Sequence, residues 1–460
     1  MGATVTKGAR ICVIGAGPCG LTAVKNMLAA GLDDVVCYDE SASIGGNWVF
    51  DESPQRTSVY ASTHIISSKG MSAFEDFPMP RDYPDFPSHQ QLRAYFEAYA
   101  AHFGVLPSIR LKHRVDRARL ELDGRWSVSV NEPTGTTEEV FDQLIVCSGH
   151  HREPHVPTYP GAFTGEALHS AQYKRADRFS GKRVLVVGAG NSACDIAVDT
   201  ARFAEQTCLS VRRGTYIVPK LICGRPIDIA YARLREEWRM PRPLVQPILG
   251  ALVRLLVGPW EKYGLPPPQG RPLESHPTLN SAILSALRHG TVRARAGIDH
   301  FDGKMVHFRD GSADPFDVVI WCTGFRISFP FLDAGVLDQD FSRPPPLYLK
   351  MSHRRIANLF FIGLFQPIGC IWRLADLQAR IAALQISGRL QRRADIAARI
   401  DREIRSPHWR FLPAARHAIE VDYHDFRREL RSELASAIRR PVERASRAGK
   451  VSQKVSRKVL

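Results

Sequence analysis

Short apolar runs that stop at a glycine punctuate this chain. RICVIG (Arg10–Gly15), the run closing at Gly149, RVLVVG (Arg183–Gly188), the run through Trp321 to Gly324 and NLFFIG (Asn358–Gly363) are each long enough for one strand. Continuous apolarity over so few residues suits a strand buried on both faces. Helical periodicity follows two of them. LTAVKNMLAAG succeeds the first and is stopped by Gly31, and a second helix runs through Asp195 towards Ala204. Each helix leads to a further strand, Val35–Tyr38 in one case and Thr207–Val211 in the other. Two strand–turn–helix–strand units are therefore predicted, one near the N-terminus and one from Lys182. Between them, residues 109–149 alternate apolar and polar like a small antiparallel sheet, with a turn at 131–135. Ser88–Phe103 is predicted as a helix with Ser88 as cap and Leu92, Tyr95, Phe96 and Tyr99 on one face.

The turns carry the chemistry. The first reads Gly15-Ala16-Gly17-Pro18-Cys19-Gly20. Glycine at these places gives a tight turn, lets backbone approach a pyrophosphate, and lets helix and strand pack closely, with the helix N-terminus aimed at the phosphates. Asp39 follows 19 residues after Gly20, where a carboxylate accepts from the ribose hydroxyls of an unphosphorylated adenosine. FAD and NAD both satisfy this first site. The second turn is Gly188-Ala-Gly190-Asn191-Ser192-Ala193, and 19 residues after Ala193 stands Arg212, followed by Arg213. Arginine here clamps a 2′-phosphate, which points to NADP(H).

Composition narrows the rest. The net charge of +15 is uneven: Arg427–Leu460 holds 11 Lys+Arg against 3 Glu. A basic tail, taken as a solvated and partly helical terminus, is thus predicted, and with no accompanying nucleic-acid module nucleic acid is not an expected partner. None of the nine cysteines forms a C-x-x-C pair, which argues against a disulfide reductase and for small buried thiols in a reducing, cytoplasmic setting. No secretory signal precedes the first strand. His150, His151 and His155 cluster without further ligands, so no metal is expected. The long irregular run 60–86 suggests a functional loop. Leu244–Val257, within an insertion at 236–272, is apolar but too short to span a bilayer; it is taken as a packed helix, with a channel wall or a shallow membrane contact left open.

Together with Gly45-Gly46-Asn47-Trp48, the string Phe163-x-Gly165-x-x-x-His169-x-x-x-Tyr173 and Trp321-Cys-Thr323-Gly-Phe325, these turns resemble the flavin-containing monooxygenases, class B flavoproteins related to the Baeyer–Villiger enzymes. The resemblance spans roughly residues 9–430. It implies an α/β fold of two Rossmann-like domains, the NADP domain inserted in the FAD domain. The expected parts are 1–157 and 328–426 for FAD, 158–327 for NADP, and 427–460 for the tail. It implies FAD on Gly15–Gly20, Asp39, Gly46, Asn47 and Trp48, with Gln366 and the helix of Asp376 and Gln378 closing over the flavin. NADP is implied on Gly188, Gly190, Asn191, Ser192, Asp195, Arg212 and Arg213, with Thr323 nearby. His169 takes the part of an interdomain hinge. The implied reaction uses NADPH and dioxygen to form a C4a-hydroperoxyflavin, which oxygenates a small molecule. Tyr173 in place of tryptophan resembles the branch that oxidises soft nitrogen or sulfur more than the ketone-oxidising Baeyer–Villiger branch. One departure stands out: in the loop His64-Ile-Ile66-Ser67-Ser68, Ile66 replaces the family's asparagine beside the reacting edge of the flavin. Either the enzyme leaks hydrogen peroxide as an uncoupled NADPH oxidase, or His64 or Ser67 takes over. The oligomeric state is left open, a homo-oligomer included.

Overall fold

The computed structural model describes residues 8–53, 57–337, 345–412 and 417–439, without the side chains of 437–439. Two sheets organise it. The first has seven strands in the order Leu347–Tyr348, Ser352–His353, Leu359–Phe361, Gln143–Val146, Ile11–Ile14, Val35–Asp39 and Ile109–Leu111. Ile11–Ile14 lies at its centre, fully buried, pairing in parallel with Val35–Asp39 on one side and Gln143–Val146 on the other. Leu359–Phe361 pairs in parallel with Gln143–Val146. The last third of the chain thus completes the sheet begun by the first, because a strand as apolar as LFF is stable only against another buried strand.

The second sheet lies wholly within the interruption. Its five strands, all parallel, run in the order Val292–Arg295, Gln206–Ser210, Arg183–Val187, Val318–Trp321 and Glu166–His169. One doubly wound unit is therefore inserted in another. Both glycine turns fall at the carboxyl ends of central strands, where open parallel sheets bind ligands. The antiparallel sheet expected within 109–149 forms from Arg114–Leu120, Trp126–Glu132 and Gly135–Phe141.

Six helices frame the site: α1, Pro18–Ala29; α2, His89–His102; α3, Asn191–Thr200; α4, Arg242–Val257; α5, Ile371–Ile386; and α6, Tyr423–Arg439. Ser88 caps α2 in a capping box with Gln91, so the N-terminal amides left over by helix geometry are satisfied. Leu92, Tyr95, Phe96 and Tyr99 are buried as the periodicity predicts. The chain beyond Arg427, expected to be solvated and partly helical, is helical to Arg439 as part of α6 but begins packed rather than solvated. Leu430 is completely buried, and Arg427 pairs with Glu75 at 2.6 Å and with Glu236 at 2.7 Å. Residues 440–460 lie outside the described ones.

The insertion is pinned to α6 and the residues before it. Arg235, 1% exposed, donates to Asp425 at 2.6 Å and to Asp422 at 3.3 Å. Next to it, the His424 ring meets Glu236 at 2.9 Å. That hydrogen bond, with Arg427 beside it, lowers the Glu236 carboxyl from 4.5 to about 2. Charges removed from water in this way gain stability only through close and complete pairing.

Candidate functional site

In open parallel sheets ligands bind in the cleft beyond the carboxyl ends of the strands, and both glycine turns lie at such ends. Neither α1 nor α3 has a side-chain cap at its N-terminus; their N-cap residues are Gly17 and Gly190. Uncapped helix N-termini present unpaired amides and the positive end of the helix dipole, which suits a phosphate. At the first turn, a Cβ on Gly20 would fall 1.8 Å from Gly15 O, so no other residue packs α1 against its strand. A Cβ on Gly46, at φ +58°, would sit 3.0 Å from Gly17 Cα. The two bare backbones therefore make a smooth floor that any side chain would fill.

Asp39 braces this turn. Its carboxylate accepts from Ala16 N and Ser41 N, each at 2.7 Å. Asn47 is exposed, and Trp48 lies edge-on to Trp372 at 5.8 Å, the first residues of α5 closing over it. At the second turn Ser192 is exposed, while Asn191 is committed, its Oδ1 accepting from Leu279 N at 2.9 Å. Arg212 and Arg213 are exposed at the end of their strand and make no ion pair among the described residues. A free arginine pair beyond an uncapped helix fits a phosphate-bearing ribose. Asp39 beyond the first fits a bare one.

Three residues assigned by resemblance are engaged within the protein. Gln378 is completely buried: its oxygen accepts from Gly363 N at 2.9 Å and its NH2 donates to Leu349 O at 2.8 Å. It holds two loops together from the interior. Asp376 joins α5 to α1, taking Lys25 Nζ at 2.6 Å and Asn26 Nδ2 at 2.8 Å. Asp195 uses one oxygen for Tyr60 OH at 3.0 Å and the other for Asn280 Nδ2 at 2.6 Å. Burial pushes its carboxyl up, countered by Lys220 and by those two donors. Gln366 stays part-exposed, its Oε1 taking His150 Nε2 at 3.0 Å. The Thr323 hydroxyl donates to His155 O.

His169 sits at the crossing between the units. Its Nδ1 accepts from Ala171 N at 3.2 Å and its Nε2 donates to Gly324 O at 3.0 Å, which sets the neutral tautomer. Burial lowers its pKa in the same sense. Beside it the returning strand Phe325–Arg326 pairs with the outgoing Glu153–Pro154.

The irregular run lies against the inserted unit, meeting Asp195, Asp199 and Asp228. Ile66 is part-exposed there, Ser67 is buried with its hydroxyl 2.8 Å from that of Ser72, and His64 is exposed, its Nδ1 3.1 Å from Ser62 O. Two residues of the inserted unit reach this loop. Asp228 accepts from Ser68 N at 2.6 Å, and Lys220 Nζ lies 3.4 Å from Ile65 O. Burial raises the carboxyl of Asp228 and lowers the ammonium of Lys220. Sequence reasoning passed over both, since an acid and a lysine in an irregular stretch carry no periodic signal. No group of three or more metal-binding side chains occurs among the described residues, and all nine cysteines are free.

The model of the family described as flavin-binding monooxygenase-like matches residues 8–439. The chain is 35% identical over 444 residues to flavin-containing monooxygenase 5 of Rattus norvegicus, an alignment covering 92% of this chain and 82% of that one. The chain belongs to the flavin-binding monooxygenases. It is also 34% identical to dimethylaniline monooxygenase [N-oxide-forming] 2 of the same animal, over 93% of this chain and 83% of that one. Among solved structures it is similar to S-allyl-L-cysteine S-oxygenase from Allium sativum (TM-score 0.69, 22% identity, covering 94% of this chain and 90% of the other). Members of the family are monooxygenases that use FAD, NADPH and dioxygen, and the donors around both turns fit the two dinucleotides.

Proposed function

We propose that the chain oxygenates a small molecule at a soft nitrogen or sulfur, with FAD seated on the first turn and NADPH on the second. One observation carries this reading: both helix N-termini lack a side-chain cap, the first with Asp39 bracing its turn and the second followed by Arg212 and Arg213, which make no ion pair among the described residues. In this reading Gly15–Gly20, Asp39, Gly46, Asn47 and Trp48 hold FAD. Gly188, Gly190, Ser192, Arg212 and Arg213 hold NADPH, and Asn191 and Thr323 shape its seat. FAD held on the first turn would supply the redox and oxygen-activating chemistry, with NADPH as the source of hydride. The protein orients the two rings and keeps water from them. The name of the N-oxide-forming relative supports a nitrogen acceptor.

Ile66 weakens the site's hold on oxygen. It offers no hydrogen bond, the Ser67 hydroxyl is engaged by Ser72, and the His64 ring faces its own loop. A hydrogen bond to a charged group contributes about 1.5–3 kcal/mol, so its loss shortens the oxygen-carrying state about tenfold to a hundredfold. Hydrogen peroxide released per NADPH consumed is therefore expected to be high in wild type and to fall in Ile66→Asn. Equal, near-zero yields in both would discard the leak.

A second observation bears on location. Among the described residues no helix is long and apolar enough to cross a membrane. Yet α4 is apolar on both sides: Val245, Val253 and Val257 face inward, while Leu244, Ile248 and Leu255 (81% exposed) face out, near the exposed Trp238 and Arg254. An apolar ridge flanked by tryptophan and arginine suits the surface of an anionic bilayer, within a cytoplasmic setting that nine free thiols also favour. Flotation with anionic vesicles is expected to carry wild type and to leave Leu255→Glu behind; wild type remaining at the bottom would refute the contact.

A further inference from the structure

Helix α3 carries two carboxylates one turn apart, Asp195 and Asp199, and both reach out of their own unit. Asp195 takes Tyr60 OH at 3.0 Å. Asp199 Oδ2 takes Ser62 Oγ at 2.7 Å together with Tyr173 OH at 2.8 Å. The rings of Tyr60 and Tyr173 meet edge to face at 5.5 Å. Ala61 N donates to Lys174 O at 2.9 Å, and Lys174 Nζ to Ser58 Oγ at 2.7 Å. The segment 58–62 is thus strapped to the helix whose N-terminus has no side-chain cap. It leads within two residues into the loop of His64, Ile66 and Ser67. On the loop's far side, Asp228 of the same inserted unit holds Ser68 N.

We propose that Asp195 and Asp199 are positioning residues that register the loop His64–Ser68 against α3, so that a nicotinamide dinucleotide binding at the start of α3 and an ordered loop favour one another. The inference rests on the reading of the second turn as the NADPH seat. Two features argue for coupling rather than simple glue. The strap has no strand or helix of its own to fix it, and what ties it to the inserted unit is the hydrogen bonds of Tyr60, Ala61 and Ser62 together with the Tyr60 ring against Tyr173. The carboxylates that hold it belong to the one helix whose N-terminal amides would grip the pyrophosphate. Energetic coupling between sites is reciprocal, so whatever orders the strap must also tighten the nucleotide. The inward aim of Asp195 agrees, because a carboxylate turned towards the phosphates would repel them.

Hydrogen exchange of the full-length, flavin-loaded protein, with and without saturating NADP+, tests this. In wild type NADP+ is expected to slow exchange at residues 188–193 and also at 58–68, the latter about fivefold or more. The double variant Tyr60→Phe, Ser62→Ala leaves both carboxylates and α3 intact. It is expected to keep the protection at 188–193, to lose it at 58–68, and to bind NADP+ about fivefold more weakly or worse. A purely structural role would shift the thermal midpoint of the variant without altering the NADP+-dependent protection of the strap, and would overturn the proposal. Protection of 188–193 in wild type with none at 58–68 overturns the coupling alone. No protection at 188–193 overturns the NADPH assignment beneath it.

Discussion

The two glycine turns share a plan and differ in how they close. In the first, a methyl group on Gly20 would lie 1.8 Å from Gly15 O. In the second the matching residue is Ala193, whose Cβ is buried without a clash. The first turn is braced by its own acid, since Asp39 holds Ala16 N and Ser41 N. The second is braced from elsewhere, by Leu279 N on Asn191, and leaves Arg212 and Arg213 free. A tight, self-braced seat suits a coenzyme that stays bound through every turnover. A looser seat with long, mobile cations suits one that must leave after giving up its hydride.

That contrast can be broken at several points. The largest expected effect is at Gly20→Ala: the helix cannot dock, and the purified protein should carry almost no flavin per chain by visible absorbance. Ala193→Gly should lose only helix propensity, about 1 kcal/mol, and keep its use of NADPH. A fully yellow Gly20→Ala protein would show that the two turns are alike after all. Next comes the hold on the second unit. Arg235→Met leaves the buried Asp422 with Arg242 Nε, at 4.0 Å, as its one ion partner among the described residues, and removing one partner of a buried pair costs about 3–5 kcal/mol. The exposed pair of Arg178 with Glu166 should contribute less than about 1 kcal/mol when Arg178 is cut to alanine. Urea unfolding of the two variants separates the cases, and equal midpoints would mean that the insertion is not anchored through Arg235.

Much of this was legible in the order of residues. Strands buried on both faces announce themselves as unbroken apolar runs, so both sheets and both turns could be placed without a structure. Ser88 marked the start of α2, because a serine cap is a local signal; its capping-box partner Gln91 emerges only in the structure. What could not be read was the direction in which a polar side chain points. Gln378 and Asp376 face inward, because their partners are Gly363, Leu349, Lys25 and Asn26, the last two some 350 residues away in sequence. The start of the basic segment misled likewise: Arg427 looks solvated until Glu75 and Glu236, far earlier in the chain, are brought beside it. Tyr60, Ser62 and Asp199 drew no notice because hydroxyls in an irregular run and an acid on a helix face are ordinary until they meet.

The division of labour between the seats is tested most directly by anaerobic reduction of the bound flavin, followed as bleaching of its visible band, with NADPH or NADH as donor. A clamp by charge-assisted hydrogen bonds of about 1.5–3 kcal/mol should make NADPH better by roughly 10- to 100-fold, and Arg212→Ala should erase most of that advantage while its flavin content stays full. Flavin that NADPH fails to bleach, or that NADH bleaches as readily in wild type, would contradict the assignment of the second turn.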